Sequence, residues 1–191
     1  MTLAFSSLVE LQAFACETYA DRPLFGTKRG GAYTWLSYGE FGAQVAAARG
    51  ALRALGVGPG DAVAVIANNR VEWAVGAFAT YGLGAKWVPM YEAQLPKDWR
   101  YILEDSAARV LLTSTREIYE ATSAFLGEIA TLEHVLSFDA PEESEESWAR
   151  RLLEAHPSEA SHTPSPSDIA GLVYTSGTTG APKGVILSHS N

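Results

Sequence analysis

Gly58-Pro59-Gly60-Asp61-Ala62-Val63-Ala64-Val65-Ile66-Ala67 decides how this chain is read. The glycine–proline turn stops what precedes it, and residues 62–67 then run apolar without alternation. A strand with one wet face alternates polar and apolar side chains, whereas a strand covered on both faces reads as a continuous hydrophobic run. The stretch therefore predicts a central strand with helices on both sides.

The flanks extend the same pattern. Upstream, Ser37-Tyr38-Gly39-Glu40 is a capping box. Phe41, Val45, Ala48, Leu52 and Leu55 follow it on one helical face, and Gly56 ends that helix. Downstream, Asn69 is placed to cap a helix with Glu72 three residues on. Val71, Trp73, Ala74, Val75, Ala77, Phe78 and Tyr81 leave that helix apolar nearly all round, so it is expected to be buried. Residues 85–89 read as a strand, and Pro96 opens a helix that turns Trp99, Ile102 and Leu103 inward. Residues 109–113 are a further strand. Ser114-Thr115-Arg116-Glu117 reads as a second capping box, opening a helix with Ile118, Ala121, Phe125 and Ile129 on one face. A strand at 134–138 and a short helix with Trp148, Leu152 and Ala155 follow.

Strands alternating with helices through long connections predict an α/β fold: a mostly parallel, doubly wound sheet with flanking helices. At the N-terminus, Ser6 and Ser7 can cap a helix expected over 6–20, with Leu8, Leu11, Phe14 (or Ala15) and Thr18 at helical spacing. Residues 24–28 and 32–36 flank Arg29-Gly30-Gly31 as a hairpin, with Phe25, Tyr33 and Trp35 expected to be packing groups. Residues 1–155 thus form an α/β portion. Residues 156–168 carry three prolines and four serines with no hydrophobic period, and read as a flexible connector with His156 and His162 exposed. Residues 169–191 are strand, loop and strand.

Composition narrows the function. With 191 residues, 47% of them hydrophobic, the chain is large enough for a real core. A net charge of −8 argues against nucleic acid as a partner. The single cysteine, Cys16, excludes an internal disulfide and reads as an inert buried thiol. No basic, then apolar leader opens the chain and no run approaches a membrane span, so a soluble cytoplasmic protein is expected, with peripheral membrane contact left open.

Chemistry concentrates in Thr175-Ser176-Gly177-Thr178-Thr179-Gly180-Ala181-Pro182-Lys183-Gly184, held between two apolar runs. Glycines let backbone amides approach phosphate oxygens, hydroxyls add hydrogen bonds, and lysine adds charge. A Walker A loop places its lysine directly after the second glycine and continues as a helix. Here Lys183 follows Pro182, and Val185-Ile186-Leu187 continues as strand. The dinucleotide glycine fingerprint is absent as well.

From Tyr174 to Asn191 this stretch resembles the AMP-binding signature of the adenylate-forming superfamily, which includes acyl-CoA synthetases, peptide-synthetase adenylation domains and beetle luciferases. The resemblance extends to Gly56-Val57-Gly58-Pro59-Gly60-Asp61, to Asn68-Asn69-Arg70-Val71-Glu72-Trp73, to Gly84-Ala85-Lys86-Trp87-Val88-Pro89-Met90-Tyr91, and to Leu103-Glu104-Asp105-Ser106. Its wording is closest to long-chain fatty-acyl-CoA synthetases. The resemblance implies the N-terminal part of that superfamily's large domain. It implies ATP, Mg2+ and coenzyme A, with Thr175, Ser176, Gly177, Thr178, Thr179, Gly180 and Lys183 at the ATP phosphates and Thr175 nearest the metal. No catalytic residue is assigned within these 191 residues.

Family members are several times longer, so the resemblance implies a fragment, inactive alone, of an enzyme that adenylates a fatty acid and transfers it to coenzyme A. An amino- or aryl-acid adenylation domain remains an alternative, as does a short non-catalytic nucleotide-binding or interaction protein. His189, in Ser188-His189-Ser190-Asn191, reads as structural rather than catalytic.

Overall fold

In the computed structural model of the chain, residues 5–158, 160, 162–175 and 182–191 are described. Ser7 caps α1 (Leu8–Thr18), its hydroxyl accepting from the Glu10 amide. A hairpin of β1 (Pro23–Arg29) and β2 (Ala32–Ser37) follows. Its two-residue turn needs positive φ twice, and Gly30 and Gly31 supply +56° and +88°. The predicted capping box then starts α2 (Tyr38–Ala54), with Ser37 and Glu40 bonding in both directions.

The main sheet is built from β3 (Ala62–Ile66), β4 (Lys86–Met90), β5 (Ala108–Thr113), β6 (His134–Ser137), β7 (Ile169–Thr175) and β8 (Lys183–Ser188). Between them lie α3 (Val71–Tyr81), α4 (Pro96–Asp105), α5 (Arg116–Ser123) and α6 (Trp148–Glu154). Strand order is β6-β5-β3-β4-β7-β8, and pairing is parallel except for the antiparallel β7–β8 pair. The chain leaves β3 towards β4 and returns past it to β5, so the order reverses at the centre, as in doubly wound folds.

Strand alternation divides the core into two layers. Val63, Val65, Trp87, Val110 and Leu112 pack with Val45 and Leu52 of α2 and Val75 of α3. Ala64, Ile66, Val88 and Leu111 face the other way, against Trp99, Ile102 and Leu103 of α4 and Ile118 of α5. All five residues of β3 are buried, as its unbroken apolar run requires. None of the described helices is long and apolar enough to cross a membrane.

Several local expectations fail for identifiable reasons. On α1, Val9 and Gln12 are buried, while Leu11 and Phe14 are exposed and Phe14 packs against Phe5. Cys16 is half-buried, its sulfur accepting from Gln12 Nε2 at 3.2 Å. Tyr33 and Trp35 stack on each other at 5.9 Å in solvent, and only Phe25 of that trio reaches the core. Arg70, not Asn69, holds the cap position of α3; its guanidinium has no acceptor to offer the first turn and pairs instead with Glu72 and Asp139. Thr115, not Ser114, caps α5, accepting from the Ile118 amide, and the helix ends at Ser123 with Ala121 exposed and Thr122 buried in its place.

The described residues of the connector form no helix or strand but are hydrogen bonded to the helices. Ser158 N donates to the Ala46 carbonyl at 2.9 Å, and the buried Arg49 donates to the Ser158 carbonyl at 2.8 Å. His162 N donates to the Gly82 carbonyl, and its ring is only partly exposed, 3.6 Å from Asp168. His156 is exposed, as expected.

Candidate phosphate-binding site

The parallel strands direct their carboxyl ends to one edge of the sheet, where ligands of open α/β folds bind. β7 ends there at Thr175. The chain returns as β8 from Lys183, and these two residues are direct partners in the antiparallel ladder. Both are exposed. They are the two described members of the predicted phosphate-binding set. Ser176, Gly177, Thr178, Thr179 and Gly180 lie outside the described residues.

The stems below the loop are closely specified. Gly171 of β7 is registered with Trp87 of β4, and a Cβ there would stand 2.8 Å from the Trp87 carbonyl oxygen. One rung below Thr175 and Lys183, Tyr174 pairs with Gly184. Side chains alternate along a strand, so this pair faces away from Thr175 and Lys183, into the α4 layer. The Tyr174 ring is buried, and its hydroxyl donates to Asp105 Oδ2 at 2.6 Å, at the end of α4. Burial, then the bond to Asp105, push the phenol well above its ordinary value.

The loops after the other strands are cross-tied by Glu92, which follows β4. Its carboxylate accepts from Asn68 N at 2.9 Å, from the Asn68 side chain, and from the Ser114 hydroxyl. Loops after β3, β4 and β5 thus share one acceptor. Arg70 continues the network to β6 by pairing with Asp139 at 3.0 Å, while its guanidinium lies 5.0 Å from the Phe138 ring. Neither Tyr174–Asp105 nor Glu92–Ser114 was legible in advance, because each pair is remote in sequence and formed only by strand order. Ser114 read as a cap, which hid its other use.

His189 is buried at the end of β8. Its Nδ1 accepts from the Leu8 amide at 3.4 Å, one of the free donors opening α1, and its ring lies edge-on to Tyr81 at 5.5 Å. Desolvation lowers its pKa, consistent with a neutral acceptor. Burial likewise pushes the Tyr81 phenol up to about 12. The expected structural role for His189 therefore has a concrete form: it joins the last strand to the first helix.

Among the described residues, no group of three or more acidic, histidine or cysteine side chains is gathered to hold a metal. A magnesium ion near Thr175 would have one hydroxyl from the described residues and would depend on phosphate and water oxygens, the usual habit of that ion. A cleft of about 910 Å³ between the hairpin and the start of α3, lined in part by Phe25, Trp35, Arg70 and Trp73, shares no residue with the loop stems.

The relatives of this chain include acid–CoA ligases and a nonribosomal peptide synthetase. The long-chain-fatty-acid–CoA ligase FadD15 of Mycobacterium bovis is 36% identical over 168 residues, covering 84% of this chain and 28% of that protein. The 3-hydroxybenzoate–CoA ligase of Aromatoleum sp. is 34% identical over 170 residues, covering 89% of this chain and 32% of that protein. The chain thus spans about a third or less of the length of these relatives. The crystal structure of the anthranilate CoA ligase AuaEII in complex with anthranoyl-AMP superposes with a TM-score of 0.85 at 26% identity, covering 100% of this chain and 36% of that one. The family described as AMP-binding enzyme matches residues 12–191, and the chain belongs to that family.

Proposed function

We propose that the chain supplies the N-terminal portion of the large domain of an ATP-dependent acid–thiol ligase, with a fatty acid as the favoured acid. The observation that carries this reading is the hydroxyl- and glycine-rich loop whose stems, Thr175 and Lys183, face each other at the carboxyl end of β7. In this reading a carboxylate oxygen attacks the α-phosphorus of ATP, pyrophosphate leaves, and the acyl-adenylate then passes its acyl group to the thiol of coenzyme A.

The work of this chain is to hold the departing phosphates. Thr175, Ser176, Gly177, Thr178, Thr179 and Gly180 donate to the β- and γ-phosphate oxygens, and Lys183 adds charge that offsets the growing negative charge on the leaving group. Holding the nucleotide still contributes as much as the charge, because it makes the attack effectively intramolecular. Mg2+, borne by the phosphates, would neutralise them further, with Thr175 as its neighbour. Coenzyme A and acid contacts are assigned to segments other than these 191 residues, and the chain alone is inactive in this account.

A second reading, an aryl acid in place of a fatty acid, is favoured by the 34% identity with the 3-hydroxybenzoate–CoA ligase. ATP–pyrophosphate exchange by the full-length protein that carries this chain separates the two. Exchange dependent on palmitate supports the fatty acid, exchange dependent on benzoates supports the aryl acid, and no exchange with any acid refutes adenylation.

A further inference from the structure

Tyr174 stands immediately before the loop, yet its ring faces away from Thr175 and Lys183. Three observations single it out. Its hydroxyl donates to Asp105 at 2.6 Å, a carboxylate 69 positions away in sequence. That carboxylate ends α4, whose last turn carries no basic residue, so it sits against the negative end of the helix dipole and gains from a donor. The ring also leans across to β8, where a Cβ on Gly184 would stand 3.1 Å from Tyr174 Cζ and 3.3 Å from Cε1 and the hydroxyl oxygen. The glycine after Lys183 is therefore the space the ring occupies.

We propose that Tyr174 is a positioning residue, a strut that fixes both stems of the phosphate loop to α4 through Asp105 and Gly184. The inference rests on the phosphate-binding reading of the loop. One stem is held because Tyr174 is itself the residue before Thr175. The other is held because the ring lies against the residue after Lys183. Neither Tyr174 nor Asp105 touches nucleotide; they set where Thr175 and Lys183 stand. Losing the strut lets the stems splay, and apparent affinity falls by the fraction of molecules that remain aligned.

Tyr174→Phe keeps the ring and removes only the hydroxyl. In the full-length protein it is expected to raise the KM for ATP about tenfold, the equivalent of one charge-assisted hydrogen bond, with the KM for the acid unchanged. Asp105→Ala should do the same, whereas Asp105→Asn, which keeps an acceptor oxygen, should restore most of the affinity. Hydrogen exchange on the full-length protein provides a readout free of activity, with faster exchange expected at the Thr175 and Val185 amides in Tyr174→Phe and Asp105→Ala but not in Asp105→Asn. An unchanged KM in Tyr174→Phe, or a uniform rise for ATP and acid together, overturns the strut. Should the unsubstituted protein not use ATP at all, the phosphate-loop reading fails. The strut is then judged on exchange alone, and unchanged exchange at both stems refutes it.

Discussion

Gly50 sits inside α2, and replacing it by alanine sets two effects of opposite sign against each other. Alanine is better than glycine in a helix interior by about 1 kcal/mol, so propensity alone makes Gly50→Ala stabilising. The added methyl would, however, stand 2.0 Å from the His156 carbonyl oxygen and 3.0 Å from its carbon, far inside the roughly 3.5 Å at which carbon contacts become favourable. The obstacle is backbone, so no rotamer relieves it and the 156–158 segment must lift off α2. Lifting it strains or breaks the bond from Ser158 N to the Ala46 carbonyl and the bond from Arg49 to the Ser158 carbonyl. Those cost about 1 kcal/mol and about 1.5–3 kcal/mol, the second being higher because its donor is charged. The net expectation is destabilisation by about 1–3 kcal/mol, or a fall of roughly 3–10 °C in Tm for a chain of this size. Urea unfolding followed by circular dichroism measures it. His156→Ala is the control, since only the carbonyl is in contact, and should lie within about 0.5 kcal/mol of the parent chain. A Gly50→Ala chain that is more stable than its parent would show that the connector is not docked on α2 and would refute the reasoning.

Substitutions at two further positions probe the ties elsewhere. The pKa of buried His189 is lowered from 6.5, so below pH 6.5 the unfolded chain binds protons that the folded chain resists, and stability falls with falling pH. His134, lowered by its own burial, adds the same sign, and urea midpoints from about pH 8 to 5.5 should fall accordingly, with a shallower slope in His189→Gln. An unaltered slope in that variant removes His189 from the account. Glu92→Ala withdraws the shared acceptor from Asn68 and Ser114 and should cost about 1–2 kcal/mol, with faster exchange at the Asn68 amide; Glu92→Gln, which keeps one oxygen, should cost less.

How far the sequence can be read depends on the range of the interaction. Period-scale features were legible. The apolar run at 62–67, the Ser37–Glu40 box and the Pro96 helix start each rest on residues a few positions apart, and each stands where the pattern placed it. Failures arise where a residue's partner lies on another element. Asn69 carries the side chain of a good cap, but the helix starts one residue later, with Arg70 at the cap and paired with Glu72 and Asp139. Tyr33 and Trp35 satisfy the strand pattern, yet a two-stranded hairpin has two faces and only one meets α2, so they remain in solvent. Val185, Ile186 and Leu187 are legible as a strand, but their exposure is not, because it follows from the place of β8 at the sheet edge. At the candidate site, Thr175 and Lys183 were singled out by type and spacing and stand as ladder partners, while Ser176, Thr178 and Thr179 lie outside the described residues. The supports, Asp105 beneath Tyr174 and Glu92 between two loops, required the strand order.

The loop between β7 and β8 is proposed to hold ATP phosphates. The most direct test is ATP–pyrophosphate exchange by the full-length protein with Lys183 intact and with Lys183→Ala, at saturating acid and varied ATP. Losing one cation from a phosphate site should weaken ATP use by about tenfold, equivalent to about 1.4 kcal/mol, while the dependence on acid stays as it was. Exchange in Lys183→Ala that matches the parent at every ATP concentration would contradict the claim.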